Sequence, residues 1–340
     1  LLFVASRAST RRREAPEAGQ TEPVQHGDDE AAPPRFVPVV TPWSIELSAD
    51  LTPLLDDDTR GGELRRAGIR AAAAATREVL FRELGVPLPA ARVSVNEELP
   101  DRSLVVSLLE VPARALSLPR ELADNEVAPY VVEQSLAVLR PRAADYLGIS
   151  ETQTLLDQLE QVAPATVRQV VPKPISVTLL ADVLRRLVEE GVSIRDLRGV
   201  LEALSQVGNA ERDPLNLAEY VRSQLRRAIT HQLTGGSGEL EVLLLDGMIE
   251  DTVRGAISRT AAGSFLTLAP AAARDLVQAV RRAHASADSP GVVLLTQPDV
   301  RRFVRKLVEV ELPELRVVSF AELLPEIAIQ PRGKASLVTL

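Results

Sequence analysis

The sequence of 340 residues contains no cysteine. This absence excludes disulfide bridges, thiolate metal sites and cysteine nucleophiles. Aromatic residues make up only 3% of the chain, with Trp43 the one tryptophan, so the core has to be built from Leu, Val and Ala. No stretch approaches the roughly 20 apolar residues that a membrane-spanning helix needs. The formal net charge of −8 argues against broad nucleic-acid binding, which usually requires a basic surface.

Residue patterns typical of catalysis or metal binding are also missing. His26, His231 and His284 are far apart and none has the spacing of zinc ligands. The glycine-rich segment 235–238 follows a predicted helix and has no lysine after it, unlike a phosphate-binding loop. The run Asp56–Asp58 lacks the alternating ligands of a calcium loop and reads as a solvated acidic loop. We therefore predict no enzymatic activity, no cofactor and no metal.

Composition and periodicity divide the chain into six segments. Residues 1–5 are apolar and arginines follow them, so they fit either a frayed terminus or the last turn of a transmembrane helix with its cytoplasmic flank. The next stretch is rich in Glu, Gln, Pro and Ala and has no apolar face, which predicts a linker. The predicted segments are the end of a transmembrane helix at 1–5, a flexible linker at 6–42, an α/β unit at 43–147, a helical bundle at 148–234, a C-terminal α/β unit at 235–330 and a tail at 331–340.

Local patterns predict the elements of the first α/β unit. A strand begins near Trp43, and a helix at 63–84 ends at Gly85. The apolar runs 92–96 and 103–111 predict a pair of strands. An irregular stretch at 112–129 and a helical pattern at 129–147 follow.

The helical bundle is predicted from capping residues and apolar spacing. Ser150 with Gln153, and Ser193 with Asp196, have the spacing of a side-chain cap and its third helical residue. Two further helix starts are predicted at Ser176 and at the Asp213–Pro214 pair. We expect four helices with short connections.

The C-terminal unit is predicted as an alternation of strands and helices with a loose tail. The strands are expected at 240–245, 291–296 and 316–320, and the helices at 247–258, 269–285 and 298–311. The chain after Gln330 is expected to lack regular structure. The fold class is thus α+β with several subdomains: a small α/β module, a helical bundle and a C-terminal α/β module.

Several motifs resemble a known family in the same order along the chain. They are Leu84-Gly85-Val86-Pro87-Leu88-Pro89, Gly148-Ile149-Ser150-Glu151-Thr152-Gln153, Ser193-Ile194-Arg195-Asp196-Leu197-Arg198, Asp213-Pro214, Tyr220-Val221-Arg222 and Pro313-Glu314-Leu315-Arg316-Val317-Val318-Ser319. This set is similar to the cytoplasmic domain of the export-gate protein of type III secretion systems, the FlhA/SctV type. The residues present in these motifs resemble the injectisome members more than the flagellar ones.

The resemblance implies a non-catalytic role in protein export. Family members have an N-terminal membrane domain in the bacterial inner membrane, a linker and a cytoplasmic part of four subdomains. The cytoplasmic parts assemble into a nonameric ring, dock chaperone–substrate complexes and work with other export-apparatus and ATPase-complex proteins. Here only about 40 residues separate Glu110 from Ser150, so we expect the second subdomain to be reduced or absent, with the helical bundle as the third.

The resemblance also suggests candidate site residues. The candidates for the subunit interface are Arg195, Asp196, Arg198 and Arg222, and those for chaperone or substrate docking are Glu83 and Val86. Intrahelical pairing, such as Arg198 with Glu202 four residues later, also explains part of this charge pattern. Two alternatives stay open at this stage: a soluble adaptor derived from the export gate, and an enzyme whose site is assembled from scattered residues.

Overall fold

A computed structural model describes residues 39–60, 63–260, 263–287, 289 and 291–337 of the chain. The predicted membrane-helix end at 1–5 and residues 6–38 of the predicted linker lie outside these ranges. Within the described ranges, no helix combines the length and apolar character needed to cross a bilayer.

A four-stranded sheet and two helices form the first α/β unit. Its elements are β1 (Trp43–Leu47), β2 (Asp58–Arg60), β3 (Glu63–Arg66), α1 (Ile69–Leu84), β4 (Arg92–Val95), β5 (Ser103–Leu108), β6 (Val111–Ser117) and α2 (Asp124–Leu139), with 3-10 turns at Ala49–Leu54 and Arg140–Tyr146. The sheet order is β4-β1-β5-β6, with β4 parallel to β1 and the other pairs antiparallel. β1 is central, and its Trp43, Ile45 and Leu47 are fully buried.

Three predictions for this unit were wrong. The helix expected at 63–84 begins only at Ile69, because Glu63–Arg66 forms β3 and pairs antiparallel with β2 instead. β4 and β5 do not pair with each other, since β1 lies between them and bonds to both. The stretch 112–129, expected to be irregular, contains most of β6 and the start of α2. Pro112 is tolerated in β6 because that strand lies at the sheet edge.

The connection from β6 to α2 is short. Residues 118–123 join the two elements directly, and no further sheet or helix is inserted anywhere between β5 and α2. The expected reduction of the second subdomain stays a prediction, because the structure shows only that β6 and short connections separate β5 from α2.

Six helices, rather than the predicted four, form the helical bundle. They are α3 (Ile149–Val162), α4 (Pro164–Val170), α5 (Val177–Glu189), α6 (Leu197–Val207), α7 (Pro214–Gln224) and α8 (Arg226–Thr234). Pro164 at its first position separates α4 from α3. The buried side chains of the bundle and of the first α/β unit belong to one continuous hydrophobic core.

Two of the predicted helix caps are confirmed. The Ser176 hydroxyl accepts a hydrogen bond from the Leu179 N–H at 3.2 Å, and the Asp213 carboxylate accepts one from the Leu215 N–H at 2.9 Å. Each satisfies one of the otherwise unpaired amide groups at a helix start.

The other two caps are displaced from their predicted positions. At α3 the capping position is Gly148, whose N–H donates to the Glu151 carboxylate at 2.9 Å. At α6 the cap is Asp196, whose carboxylate accepts from the Gly199 N–H at 2.9 Å. Ser150 and Ser193 are therefore not the caps, because a carboxylate lies at the right spacing in both places.

The C-terminal unit contains a sheet of four parallel strands. Its elements are β7 (Glu239–Leu245), α9 (Gly247–Gly255), β8 (Ile257–Thr260), β9 (Gly263–Leu266), α10 (Pro270–Ser286), β10 (Val293–Thr296), α11 (Arg301–Val308), β11 (Val317–Ser319), a 3-10 turn at Phe320–Glu322 and β12 (Ala328–Ala335). The strand order is β11-β10-β7-β12. Both faces of the sheet carry an apolar cluster.

Two predictions for the C-terminal unit need correction. The helix expected at 247–258 stops at Gly255, and the β8–β9 hairpin follows it. The tail expected to be loose contains β12, which pairs with β7 from Ala328 to Ala335. Its polar residues gave no strand pattern, because β12 is an edge strand that leaves most of its side chains in solvent.

Candidate functional site

A large cleft in the described part of the chain lies where the first α/β unit, the helical bundle and the C-terminal unit meet. It has a volume of about 1380 Å³ and is bounded by the C-terminal end of α1, the segment 188–196 after α5, helix α8 and the segment 305–327 of the C-terminal unit. Four of the six candidate site residues line this cleft, namely Glu83, Arg195, Asp196 and Arg222.

The end of α1 is fitted closely against the segment that follows α5. Gly85 terminates α1 with φ of +81°, and a Cβ atom at this position would lie 2.9 Å from the backbone nitrogen of Arg195. The Ile194 N–H donates to the Leu84 carbonyl at 2.9 Å. Arg195 donates through Nη1 to the carbonyl of Arg82 at 3.2 Å. The first α/β unit thus holds the Arg195 backbone in place at the cleft edge.

Glu83 and Val86 differ in what they present to a partner. The exposed Glu83 carboxylate accepts two hydrogen bonds from Arg140, at 2.8 and 2.7 Å. This pairing, opposed by partial burial, raises the pKa of Arg140. Val86, in contrast, is fully buried in the core. Its predicted docking role is corrected accordingly, because its side chain offers no surface for a chaperone.

A buried ion network lies beneath the cleft and joins the helical bundle to the C-terminal unit. Arg301 at the start of α11 is fully buried and donates two hydrogen bonds to Glu190, at 2.6 and 3.0 Å, and two to Glu219, one of them at 2.7 Å. Arg222 on α7 donates to Glu322 at 2.5 and 3.1 Å and to Glu190 at 3.3 Å. Two cations thus face three carboxylates.

The charges of this network determine its protonation. Burial alone would raise the pKa of Glu190, but Arg222 and Arg301 outweigh that effect and leave the pKa lowered. Burial would likewise lower the pKa of Arg301, whereas Glu190 and Glu219 raise it well above its usual value. Both shifts favour the charged forms of Glu190 and Arg301. Removing one partner would leave the other charged groups unpaired in a poorly solvated site.

Arg222 does not have the predicted interface role in this structure. It is 3% exposed, and its guanidinium group is occupied by Glu322 and Glu190 of the same chain. A neighbouring subunit cannot reach it without opening the network. The pairing partner, Glu322, is 100 positions away in the sequence, so no local pattern could have predicted it.

Sequence reasoning also missed Arg301, although one signal was present. Arg301, Val304 and Val308 follow helical spacing and so lie on one face of α11, and all three are buried. A charged residue on an otherwise apolar helix face indicates a buried partner.

The remaining interface candidates are exposed. Arg195 and Asp196 lie at the cleft edge. Arg198 lies outside the cleft lining and bonds to Glu202 at 2.8 Å, the predicted pairing within α6. These three side chains are available to another molecule, with Asp196 also serving as the cap of α6.

The other motifs considered from the sequence have structural partners. Asp57 accepts from the Gly68 N–H at 2.7 Å, and Asp56 lies 3.2 Å from Arg70. His231 and His284 are in the last turns of α8 and α10, and His26 lies outside the described residues. Among the described residues, no group of three or more His, Asp or Glu side chains could hold a metal ion.

Comparison with known proteins gives a consistent family match. The model of the FHIPEP family matches residues 120–328. Protein hrpC2 of Xanthomonas euvesicatoria is 35% identical over 294 residues, covering 86% of this chain and 44% of that protein. Low calcium response locus protein D of Yersinia pestis is 33% identical over 308 residues, covering 77% of this chain and 44% of that protein. The chain thus spans less than half the length of these curated relatives.

Solved structures share the fold. The Chlamydia pneumoniae CdsV protein superposes with a TM-score of 0.80 at 29% identity, covering 89% of this chain and 100% of that one. The nonameric EPEC SctV-C, seen by cryo-EM, has a TM-score of 0.73 at 23% identity, with 88% and 99% of the two chains covered. The second of these similarities concerns the fold alone.

Proposed function

The chain belongs to the FHIPEP family, and on that premise we propose that it is the cytoplasmic domain of a type III secretion export gate of the injectisome type. The family match over residues 120–328 carries the proposal. The fold supports it, since the chain follows the CdsV structure over 89% of its length. The rest of the longer protein would then supply the anchor in the bacterial inner membrane, with this part facing the cytoplasm.

The proposed assembly is a homo-oligomeric ring of nine subunits. SctV-C and the EscV cytosolic domain form nonamers, and this chain shares their fold. A closed ring needs one patch on each subunit that fits a different patch on the next. Arg195, Asp196 and Arg198 remain our candidates for polar contacts there, because all three side chains are exposed and the first two lie at the edge of the cleft.

The ring is proposed to be a non-catalytic platform that docks chaperone–substrate complexes. The cleft beside Glu83 has a volume of about 1380 Å³, and the proposed role requires no reacting group. Binding of other export-apparatus and ATPase-complex proteins is also part of the proposal. The CdsV protein has been solved in complex with the CdsO protein, which supports a platform with more than one kind of partner.

The experiment that tests the ring measures the mass of the purified chain across a concentration series by light scattering, with electron microscopy of the same samples. We expect closed rings of about nine subunits as concentration rises. Arg195→Glu should move ring formation to higher concentration, whereas Arg274→Glu, an exposed arginine on α10 away from the cleft, should not.

A secretion assay tests the export role. The same two variants, placed in the whole gate protein, are compared for release of export substrates into the medium at equal protein levels. Loss of secretion with Arg195→Glu alone supports the platform role. Normal secretion from Arg195→Glu cells, together with a strict monomer in solution, would remove Arg195 from the interface.

A further inference from the structure

We infer that the cleft binds an acidic segment of a partner protein. This inference rests on the proposed docking role and specifies the chemistry of the docked segment. The chain as a whole is acidic, with a formal net charge of −8. At the cleft, Arg140 pairs with Glu83, but several other exposed arginines have no ion pair.

Three arginines at the cleft have guanidinium groups that form no hydrogen bond and no ion pair in the described structure. They are Arg82 on α1, Arg227 on α8 and Arg316 just before β11. A fourth, Arg195, bonds only to the backbone carbonyl of Arg82. Each of these guanidinium groups can bind a carboxylate without breaking an existing ion pair.

The carboxylates at the cleft are mostly neutralised by other cations. Glu83 pairs with Arg140, Glu190 belongs to the buried network, and Glu309 bonds to Lys306 at 2.5 Å. Asp196 caps α6. Burial, with the nearby Glu190 and Glu309, raises the pKa of Glu189 and so opposes its negative charge. Glu314 also lines the cleft and forms no ion pair, so its charge compensates part of the charge of the free arginines and leaves the rest uncompensated.

Arg316 shows the consequence of this imbalance. Burial lowers the pKa of its guanidinium group, and the positive charge of Arg222 lowers it further, although Glu314 acts in the opposite direction. A cation in such a position gains from an anion brought by a ligand. Together with the unpaired guanidinium groups around the cleft, this favours a negatively charged occupant.

The shape and the walls of the cleft favour a peptide over a small anion. The arginines come from α1, the segment after α5, α8 and the start of β11, so they are distributed around the cleft instead of converging on one point. Apolar residues, among them Val192, Leu324 and Ile327, line the surface between them. The volume of about 1380 Å³ exceeds the range of roughly 300–1,000 Å³ typical of small-molecule pockets. A segment that carries several carboxylates and some apolar side chains fits these features.

The test uses a fluorescein-labelled peptide of alternating glutamate and leucine pairs, and the same peptide with glutamine in place of glutamate, with the full chain. Binding is followed by fluorescence anisotropy at low and high salt. We expect the glutamate peptide to bind, with affinity that falls as salt rises, and the glutamine peptide to bind much more weakly. Arg227→Glu and Arg316→Glu should each weaken binding by about fivefold or more, since each replaces an attraction by a repulsion.

Arg274→Glu is the matched control, because it makes the same charge change at an exposed arginine outside the cleft. Folding of each variant is checked by circular dichroism. Arg227 lies in the first turn of α8, where a carboxylate is favourable, so its reversal should not disturb the helix. Equal binding by the native chain and both cleft variants, or an equal loss with Arg274→Glu, would overturn the inference.

Ring formation by the same variants separates this inference from the proposed function. Rings that form normally while the acidic peptide fails to bind the native chain would refute the acidic occupant and leave the export-gate proposal standing. Loss of rings in Arg227→Glu and Arg316→Glu, with peptide binding unchanged, would identify the cleft as a contact between subunits and exclude the partner segment.

Discussion

Replacing Arg301 by methionine should destabilise the chain far more than any exposed charge substitution. The native side chain is fully buried and forms two hydrogen bonds to each of Glu190 and Glu219 and one to the carbonyl of Val317 at 3.2 Å. Methionine keeps an unbranched apolar side chain but removes the guanidinium group and its charge. Glu219 would then lose both of its hydrogen bonds to Arg301, and Glu190 and Glu322 would share the one remaining cation, Arg222. Removing one partner of a buried ion pair costs about 3–5 kcal/mol, a large part of the usual total of about 5–15 kcal/mol.

The assay is urea unfolding, followed in parallel by circular dichroism and by the fluorescence of Trp43. Trp43 is buried in the core that the first α/β unit shares with the helical bundle, whereas the sheet of the C-terminal unit has separate apolar clusters. Arg301 joins the C-terminal unit to the helical bundle through its hydrogen bonds to Glu190 and Glu219. We therefore expect Arg301→Met to lower the midpoint and to make the loss of circular dichroism begin before the change in fluorescence.

Arg198→Met is the control for this measurement. Arg198 forms an exposed pair with Glu202 one helical turn away, and such pairs contribute about 0.3–0.5 kcal/mol. The reasoning fails if Arg301→Met shifts the midpoint no further than Arg198→Met does. It also fails if circular dichroism and fluorescence change together and the free energy of unfolding falls by less than about 1 kcal/mol. The network would then contribute little more than an exposed ion pair.

Two adjacent glutamates should respond to neutralisation with opposite signs. The pKa of Glu190 is lowered in the folded chain, so its charge stabilises the fold at pH values above the pKa of the unfolded chain. Glu190→Gln should therefore reduce the urea midpoint at pH 7, and this reduction should become smaller toward about pH 4. The pKa of Glu189 is raised by burial, so its charge opposes folding, and Glu189→Gln should raise the midpoint at pH 7 and change little at about pH 4. Gly85→Ala should cost about 2 kcal/mol or more, measured by urea unfolding, because φ is +81° and the added Cβ would press on a backbone nitrogen. Gly255→Ala in α9, where a Cβ meets nothing within 4 Å, should instead be neutral or stabilise by about 0.5 kcal/mol.

Local sequence patterns predicted the long helices well, because their signals are themselves local. A capping side chain acts on an amide two or three residues away, as Ser176 does at α5. Helix α10 is found at Pro270–Ser286, close to the expected 269–285. The β2–β3 and β8–β9 hairpins were missed because their strands are short and adjoin helices. β12 was missed because its partner, β7, is distant in the sequence and its own side chains mostly face solvent.

The candidate site shows the same division between local and distant interactions. The motif around Arg195 and Asp196 predicted a surface feature, and both residues lie at the edge of the cleft. Arg222 belongs to an equally recognisable motif, yet it contacts Glu322 from the far end of the chain and is buried. A residue in a recognisable motif can therefore stabilise the junction between two units of its own chain instead of contacting a partner protein. Arg195 and Arg222, both at the cleft, accordingly predict different phenotypes: reversal of the first should affect assembly in a stable chain, whereas reversal of the second should unfold the junction itself.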